Sequence, residues 1–238
     1  MLVCFFRVLF LGFMLILLCF FSLIFSLFFF CDYRKTYLYA RFFSVFAKCL
    51  GITVDIRGVN KELCASVYVA NHQNNYDLFT LTGAVQAGTV SIGKRSLVFI
   101  PFFGLIYWIS GNILIDRRDS SKAKCILKKI ALSMKDKVMS IWFFPEGTRY
   151  PKKGMLPFKL GAFHTAIQAG VPIIPVVASF QGNIKLSKYN NGKVIVQILP
   201  EISTEKYSEE NVRELAEITR DKMIESYNSL NAELSIDA

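Results

Sequence analysis

From Val8 to Cys31 the chain runs for 24 residues without a formally charged side chain, and Leu, Phe and Ile dominate the run. Coiled as a helix, such a segment is about 36 Å long, enough to cross a hydrocarbon layer of roughly 30 Å. A secretory signal would have a shorter apolar centre, with small residues before its cleavage point. Here Phe28, Phe29 and Phe30 lead instead into Cys31 and Asp32. The expectation is a retained membrane anchor. Arg7 is the only charged side chain ahead of the run, whereas Arg34, Lys35, Arg41 and Lys48 follow it. Positive charge collects on the cytoplasmic flank of membrane helices, so the remainder of the chain is expected on the cytoplasmic side.

The anchor narrows what the charge balance means. Against 18 Asp and Glu the chain carries 28 Lys and Arg, a net charge of +10. Such a balance calls for an anionic partner: nucleic acid, a membrane surface or a phosphorylated substrate. A chain held in a bilayer is poorly suited to the first. Tyr37 to Leu50 mixes Leu38, Phe42, Phe43, Val45 and Phe46 with Arg41 and Lys48. Two readings stay open there, an amphipathic helix in the bilayer interface and an ordinary core helix. The six cysteines are scattered and form no C-x-x-C pair, which fits a reducing compartment rather than a disulfide frame or zinc site. Residues 1–50 thus read as anchor and interfacial helix, and 51–238 as one further domain.

In that domain the pattern changes. Ile52, Val54 and Ile56 alternate with polar residues, which predicts a half-buried strand. Residues 67–70, 138–144, 173–179 and 194–199 are further strand candidates, and a short strand is expected in Gly111–Arg118. Ala123, Ile126, Leu127, Ile130, Ala131 and Met134 recur at helical spacing, and Ser208 is placed to cap a last helix with the stripe Val212, Leu215, Ala216, Thr219, Met223 and Tyr227. Strands alternating with helices argue for an α/β fold, a sheet covered on both faces by helices. Residues 96–110, SLVFIPFFGLIYWIS, carry no charge yet are too short to span a bilayer. They are either a buried helix or an apolar surface facing lipid or an acyl chain.

The chemistry-bearing residues fall in four places. Directly after the apolar 65–69 run stands A-N-H-Q-N-N-Y-D. His72 and Asp77 are five apart, which on one helix would set them about 140° from each other. A histidine in the turn after a strand, with Asp77 in the first turns of the next helix, would instead let the two meet at a strand's carboxyl end. Aspartate would then fix the imidazole tautomer and leave the other nitrogen as a base. On spacing alone a polar turn that happens to contain His72 stays open too, and is the commoner arrangement. Second, F-F-P-E-G-T-R presents Arg149 after a strand and a Gly147 turn, with Lys152, Lys153 and Lys159 nearby; arginine grips phosphate in bidentate fashion. Third is G-N-I-L-I-D-R-R, and fourth G-V-P-I-I-P-V. With only His72 and His164 in the chain and no H-E-x-x-H, a metal-dependent hydrolase is poorly supported.

Taken together and in this order, N-H-Q-N-N-Y-D, G-N-I-L-I-D-R, F-P-E-G-T-R and V-P-I-I-P-V resemble the four blocks of the glycerolipid acyltransferase family, most closely its bacterial members that act on 1-acyl-sn-glycerol 3-phosphate. The resemblance spans about 50 to 230. It implies a single acyltransferase-type domain built on a mixed central sheet, sited at the inner membrane. It also implies transfer of an acyl group from acyl-CoA or acyl-carrier protein to the sn-2 hydroxyl of lysophosphatidic acid (another lysophospholipid or glycerol 3-phosphate being the alternative acceptor). The partners implied are membrane lipids, that acceptor and the acyl donor, with neither metal nor other cofactor. His72 is implied as general base with Asp77 orienting it. Arg117, Glu146, Gly147, Thr148, Arg149 and Lys159 are implied to bind the phosphate and glycerol, and Val171, Pro172, Ile173 and Pro175 either to line the acyl site or to support the sheet. No G-x-S-x-G elbow is present, in keeping with direct attack rather than an acyl-enzyme.

Overall fold

The computed structural model describes residues 1–26, 35–58, 64–116, 118–136 and 139–236. Two helices come first, α1 (Leu2–Ser26) and α2 (Lys35–Cys49). The strands are β1 (Ile52–Arg57), β2 (Val67–Ala70), β3 (Thr89–Lys94), β4 (Ile113–Ile115), β5 (Ser140–Phe143), β6 (Ile173–Ala178) and β7 (Gly192–Ile198). Between and after them lie α3 (Asp77–Thr80), α4 (Phe103–Ile109), α5 (Ser120–Asp136), α6 (Gly161–Ala169) and α7 (Val212–Ile236), with short 3-10 turns at Thr82–Ala84 and Arg95–Phe99. All seven strands form one sheet in the order β1-β7-β6-β2-β5-β3-β4. Only the β6–β7 pairing is antiparallel, so the sheet is mixed and flanked by helices, as the α/β pattern predicts.

The period of two along a strand divides the core. Val67 and Val69 point into a cluster with Ile130 and Met134 of α5, Phe163 of α6, and Leu215 and Met223 of α7. Their neighbours Tyr68 and Ala70 point to the opposite face, against Ala40 and Ala47 of α2, Leu81 and Trp142. β2, β5 and β6 are buried at every position, which is why their sequences are continuous apolar runs rather than alternating ones. Because β4, β3, β5, β2 and β6 are mutually parallel, their carboxyl ends share one edge of the sheet.

Two details depart from the sequence expectations. β3 lies outside the strand candidates: its alternation amounts to Val90 and Ile92 alone and it contains Gly93, and its pairing with β5 on one side and β4 on the other makes it a strand. Ser208 does not cap α7. Its N–H donates to Asn211 Oδ1 at 2.6 Å, a turn closed ahead of the helix, which starts at Val212.

Leu2–Ile24 is long and apolar enough to cross a membrane, and the remainder of the expected anchor, Leu27 to Cys31, lies outside the described residues. Most of α1 is exposed, Phe5, Phe6, Phe13 and Phe21 included, while Cys19 and Ser22 are buried. Arg7 fastens its first turns to the body of the protein. Its guanidinium donates to the carbonyls of Cys49 (2.8 Å), Leu186 (2.9 Å) and Tyr189 (2.8 Å), and also to that of Lys188. α2 is two-sided. Thr36, Ala40, Phe43 and Ala47 face inward, and Leu38, Arg41, Val45 and Lys48 face out. Residues 96–110 likewise divide: Ile106 and Ile109 are buried, whereas Val98, Phe99, Ile100, Phe102, Leu105 and Trp108 are exposed beside Lys94 and Arg95.

Candidate active site

β2 ends at Ala70, and the turn that follows carries His72 onto the shared carboxyl edge, while Asp77 opens α3. The two side chains meet: His72 Nδ1 lies 2.6 Å from Asp77 Oδ2. An ionised carboxylate only accepts, so the proton of that bond sits on Nδ1 and Nε2 is left as an acceptor. Asp77 is 3% exposed and His72 18%, so the orienting group is sealed and the imidazole is reachable. Oδ2 also accepts the backbone N–H of Gln73 at 2.8 Å and of Asn74 at 3.1 Å. The turn itself therefore builds the carboxylate's seat.

The imidazole is held from two further directions. The Phe144 ring stacks on it, centroids 4.1 Å apart and planes 22° from parallel. The backbone N–H of His72 donates to Glu146 Oε1 at 2.8 Å, and its carbonyl accepts the N–H of Tyr150 at 2.8 Å. Glu146 is buried, and its other oxygen accepts Leu156 N–H at 2.9 Å. Burial pushes the Glu146 carboxyl up, with the His72 and Leu156 amides working against the shift. Arg220 of α7 then ties the same loop down through the carbonyls of Met155 (2.7 Å) and Leu156 (3.0 Å).

Gly147 takes φ +71°, a left-handed turn that β-carbons resist, and a Cβ there would lie 2.7 Å from Lys159 Cε. The lysine stem thus lies across the glycine. Thr148, Arg149 and Lys159 are exposed, and Tyr150, next to Arg149, is the residue bonded to His72. Arg117 lies outside the described residues; its neighbours Asp116 and Arg118 follow β4 on the shared edge. Lys94 ends β3 and Arg95 follows it there, so cations stand on the same sheet edge as His72, two and three strands over.

The Val171–Val176 block falls elsewhere. Ile173 pairs with Val67, at the start of β2, and Pro175 with Val69. Val171, Pro172 and Ile173 therefore sit at the end of the sheet away from His72, roughly 15 Å along the strand direction. Val171 and Ile173 are buried in the core formed with α6 and α7. The structure joins His72, Asp77 and Glu146 and does not bring these residues to them.

The amides around His72, mute in sequence, turn out to be structural members of the site. Asn71 exchanges two hydrogen bonds with Ala178, donating to its carbonyl at 2.9 Å and accepting its N–H at 2.8 Å. Gln73 Nε2 donates to Ser179 O at 2.8 Å, and its Oε1 accepts Gln181 N–H at 2.9 Å. Gln181 was invisible to motif reading because it lies past the last block, and Phe144 because an apolar residue beside F-P-E-G-T-R looks like core. Among the described residues no group of three His, Cys, Asp or Glu side chains stands close enough to hold a metal ion.

Comparison with known proteins follows the same residues. A family model described as "Acyltransferase" matches residues 55–179. The chain is 43% identical over 223 residues to a 1-acyl-sn-glycerol-3-phosphate acyltransferase of Haemophilus influenzae, covering 92% of this chain and 93% of that protein. The Escherichia coli protein of the same name is also 43% identical, with 92% and 91% covered. A human 1-acyl-sn-glycerol-3-phosphate acyltransferase alpha is 34% identical over 188 residues, 77% of this chain and 66% of that one. Among solved structures, the 1-acyl-sn-glycerophosphate (LPA) acyltransferase PlsC of Thermotoga maritima superposes with a TM-score of 0.72 at 25% identity, covering 94% of each chain.

Proposed function

The chain belongs to the acyltransferase family, and from that premise we propose that it acylates the sn-2 hydroxyl of 1-acyl-sn-glycerol 3-phosphate, with acyl-CoA or acyl-carrier protein as donor, to give phosphatidic acid. The observation that carries this reading is the 2.6 Å bond between His72 Nδ1 and a sealed Asp77 at a strand's carboxyl end. His72 Nε2 takes the hydroxyl proton as the oxygen attacks the thioester carbonyl. The C–S bond then breaks and the thiolate leaves with that proton. Asp77 stabilises the imidazolium formed between the two steps. A thioester is activated enough for direct attack, so no covalent enzyme intermediate is needed. General-base help of about 10²–10⁴-fold is the usual size, and holding both substrates in place supplies much of the rest.

In this reading Arg149, Lys159 and Arg117 hold the acceptor phosphate, with Gly147 and Thr148 shaping the floor beneath it. Glu146 acts through the two loops whose amides it accepts. Residues 1–50 anchor the protein in the inner membrane, 51–238 catalyse, and the site faces the cytoplasm. The exposed apolar residues between Val98 and Trp108 meet the same bilayer from which the acceptor comes. No cofactor beyond the donor takes part.

The test is transfer by purified protein in detergent, offering lysophosphatidate, glycerol 3-phosphate and lysophosphatidylcholine against both donors, with a chelator arm. Lysophosphatidate is expected to be the preferred acceptor, and the chelator to leave the rate unchanged. His72→Ala is expected to lower turnover by at least a hundredfold while the protein still folds and binds vesicles. Near-normal turnover in that variant would remove the base assignment.

A further inference from the structure

Asp77 receives its hydrogen bonds unevenly. Three donors, His72 Nδ1 and the Gln73 and Asn74 amides, converge on Oδ2. The other oxygen, Oδ1, accepts from Gln181 Nε2 at 2.9 Å, across 104 residues of chain. Gln181 is 1% exposed. Its own carbonyl oxygen Oε1 accepts from Thr80 Oγ1 at 3.0 Å. This fixes the orientation of the amide: reversed, it would set Oε1 against an ionised carboxylate.

The backbone around Gln181 is held as firmly as its side chain. Its N–H donates to Gln73 Oε1 at 2.9 Å, its carbonyl accepts Asn74 Nδ2 at 3.3 Å, and the preceding Phe180 N–H donates to Asn231 Oδ1 of α7 at 2.8 Å. The turn after β6 is thus built so that one buried amide N–H points at one carboxylate oxygen. A buried amide that donates to one carboxylate oxygen, and is itself oriented by a hydroxyl on its carbonyl, is there to fix that carboxylate's geometry.

We propose that Gln181 is a positioning residue for the His72–Asp77 pair, its amide locking the plane of the Asp77 carboxylate so that Oδ2 stays on His72 Nδ1, with Thr80 setting which way the amide faces. Without that donor the carboxylate is free to turn about its Cβ–Cγ bond, and Oδ1 is left buried and bare. The imidazole then loses the orientation that aims Nε2 at the acceptor hydroxyl. The ionisable group facing the pair from the neighbouring strand is Glu146, which bonds to the His72 backbone and not to the carboxylate, so it does not substitute for Gln181.

The role in turnover rests on the function proposed above, whereas the geometry can be read without it. The chain has two histidines, so selectively ¹⁵N-labelled protein in micelles shows two imidazoles, and His164→Gln leaves His72 alone. In that spectrum the low-field Nδ1–H proton of His72 is expected to shift or broaden away in Gln181→Met and to persist in the parent. In kinetics Gln181→Met is expected to lower kcat on the order of ten- to hundredfold with KM for both substrates within about twofold. Placed on His72→Ala it should lower the residual rate no further, because it acts through the imidazole. Gln181→Glu keeps the shape and replaces the donor by an acceptor, and should behave like the Met variant. An unmoved Nδ1–H signal in Gln181→Met would overturn the proposal, as would full rates in Gln181→Glu or an additive loss in the double variant. Absence of lysophosphatidate acylation by the parent would instead overturn the proposed function and leave the spectroscopic test standing.

Discussion

The backbone N–H of His72 donates to Glu146 Oε1 at 2.8 Å across 74 residues of chain. Two loops that leave neighbouring parallel strands are thereby clamped by one buried carboxylate, whose second oxygen takes Leu156 N–H. The histidine's position along the sheet edge is set by this bond, and its ring orientation by Asp77 and Phe144.

Glu146 makes stability depend on pH in an unusual direction. Burial raises its carboxyl above the ordinary value of 4.5, so in the interval above that value the folded state binds more protons than the unfolded one. Stability present at low pH is therefore lost as pH rises through the raised value. Glu146→Gln lacks this dependence and carries instead a pH-independent cost, since its NH₂ faces a backbone N–H. Thermal unfolding of the two proteins from pH 4 upward is expected to show the wild type losing ground to the variant as pH rises. Parallel curves would remove the assignment.

Arg149→Ala should raise KM for lysophosphatidate by about tenfold to a hundredfold, the size of one charge-assisted hydrogen bond lost. Initial rates with each substrate varied in turn provide the check. An effect confined to the acyl donor would put the phosphate elsewhere.

Gly147→Ala forces a β-carbon into a left-handed turn and against the Lys159 stem, at a cost of about 1–3 kcal/mol for the backbone alone. Gly170, at φ +67° after α6, is the matched control, because a Cβ there meets nothing within 4 Å. Both alanine variants should lower the melting temperature, but only Gly147→Ala should also depress transfer. Equal activity in the two would mean that the Lys159 contact has no part in the site.

Five-residue spacing showed only that His72 must stand outside the helix that carries Asp77, and it was the order of the four blocks that made their pairing legible. The sheet with helices on both faces was legible from its buried apolar runs. Gln181 was not, since its meaning lies in a contact spanning 104 residues that no local pattern encodes. The V-P-I-I-P-V block was legible as a strand but not in its placement: parallel pairing sets Ile173 beside Val67, far from His72, and Val176 beside Ala70, at the edge that carries it. Residues 96–110 were not legible as one thing, because the short helix α4 buries Ile106 and Ile109 while it turns Trp108 outward, and the 3-10 turn before it exposes Phe99.

Arg7 has a bearing on the whole assembly. By closing on carbonyls at the end of α2 and in the 186–189 loop, it makes the apolar first helix a fixed keel rather than a tether. Gly192, where β7 begins, pairs with Ile52 just past that junction, at the same margin of the sheet that carries His72. If the keel rides in lipid, as proposed above, its depth and tilt also set the height of the histidine.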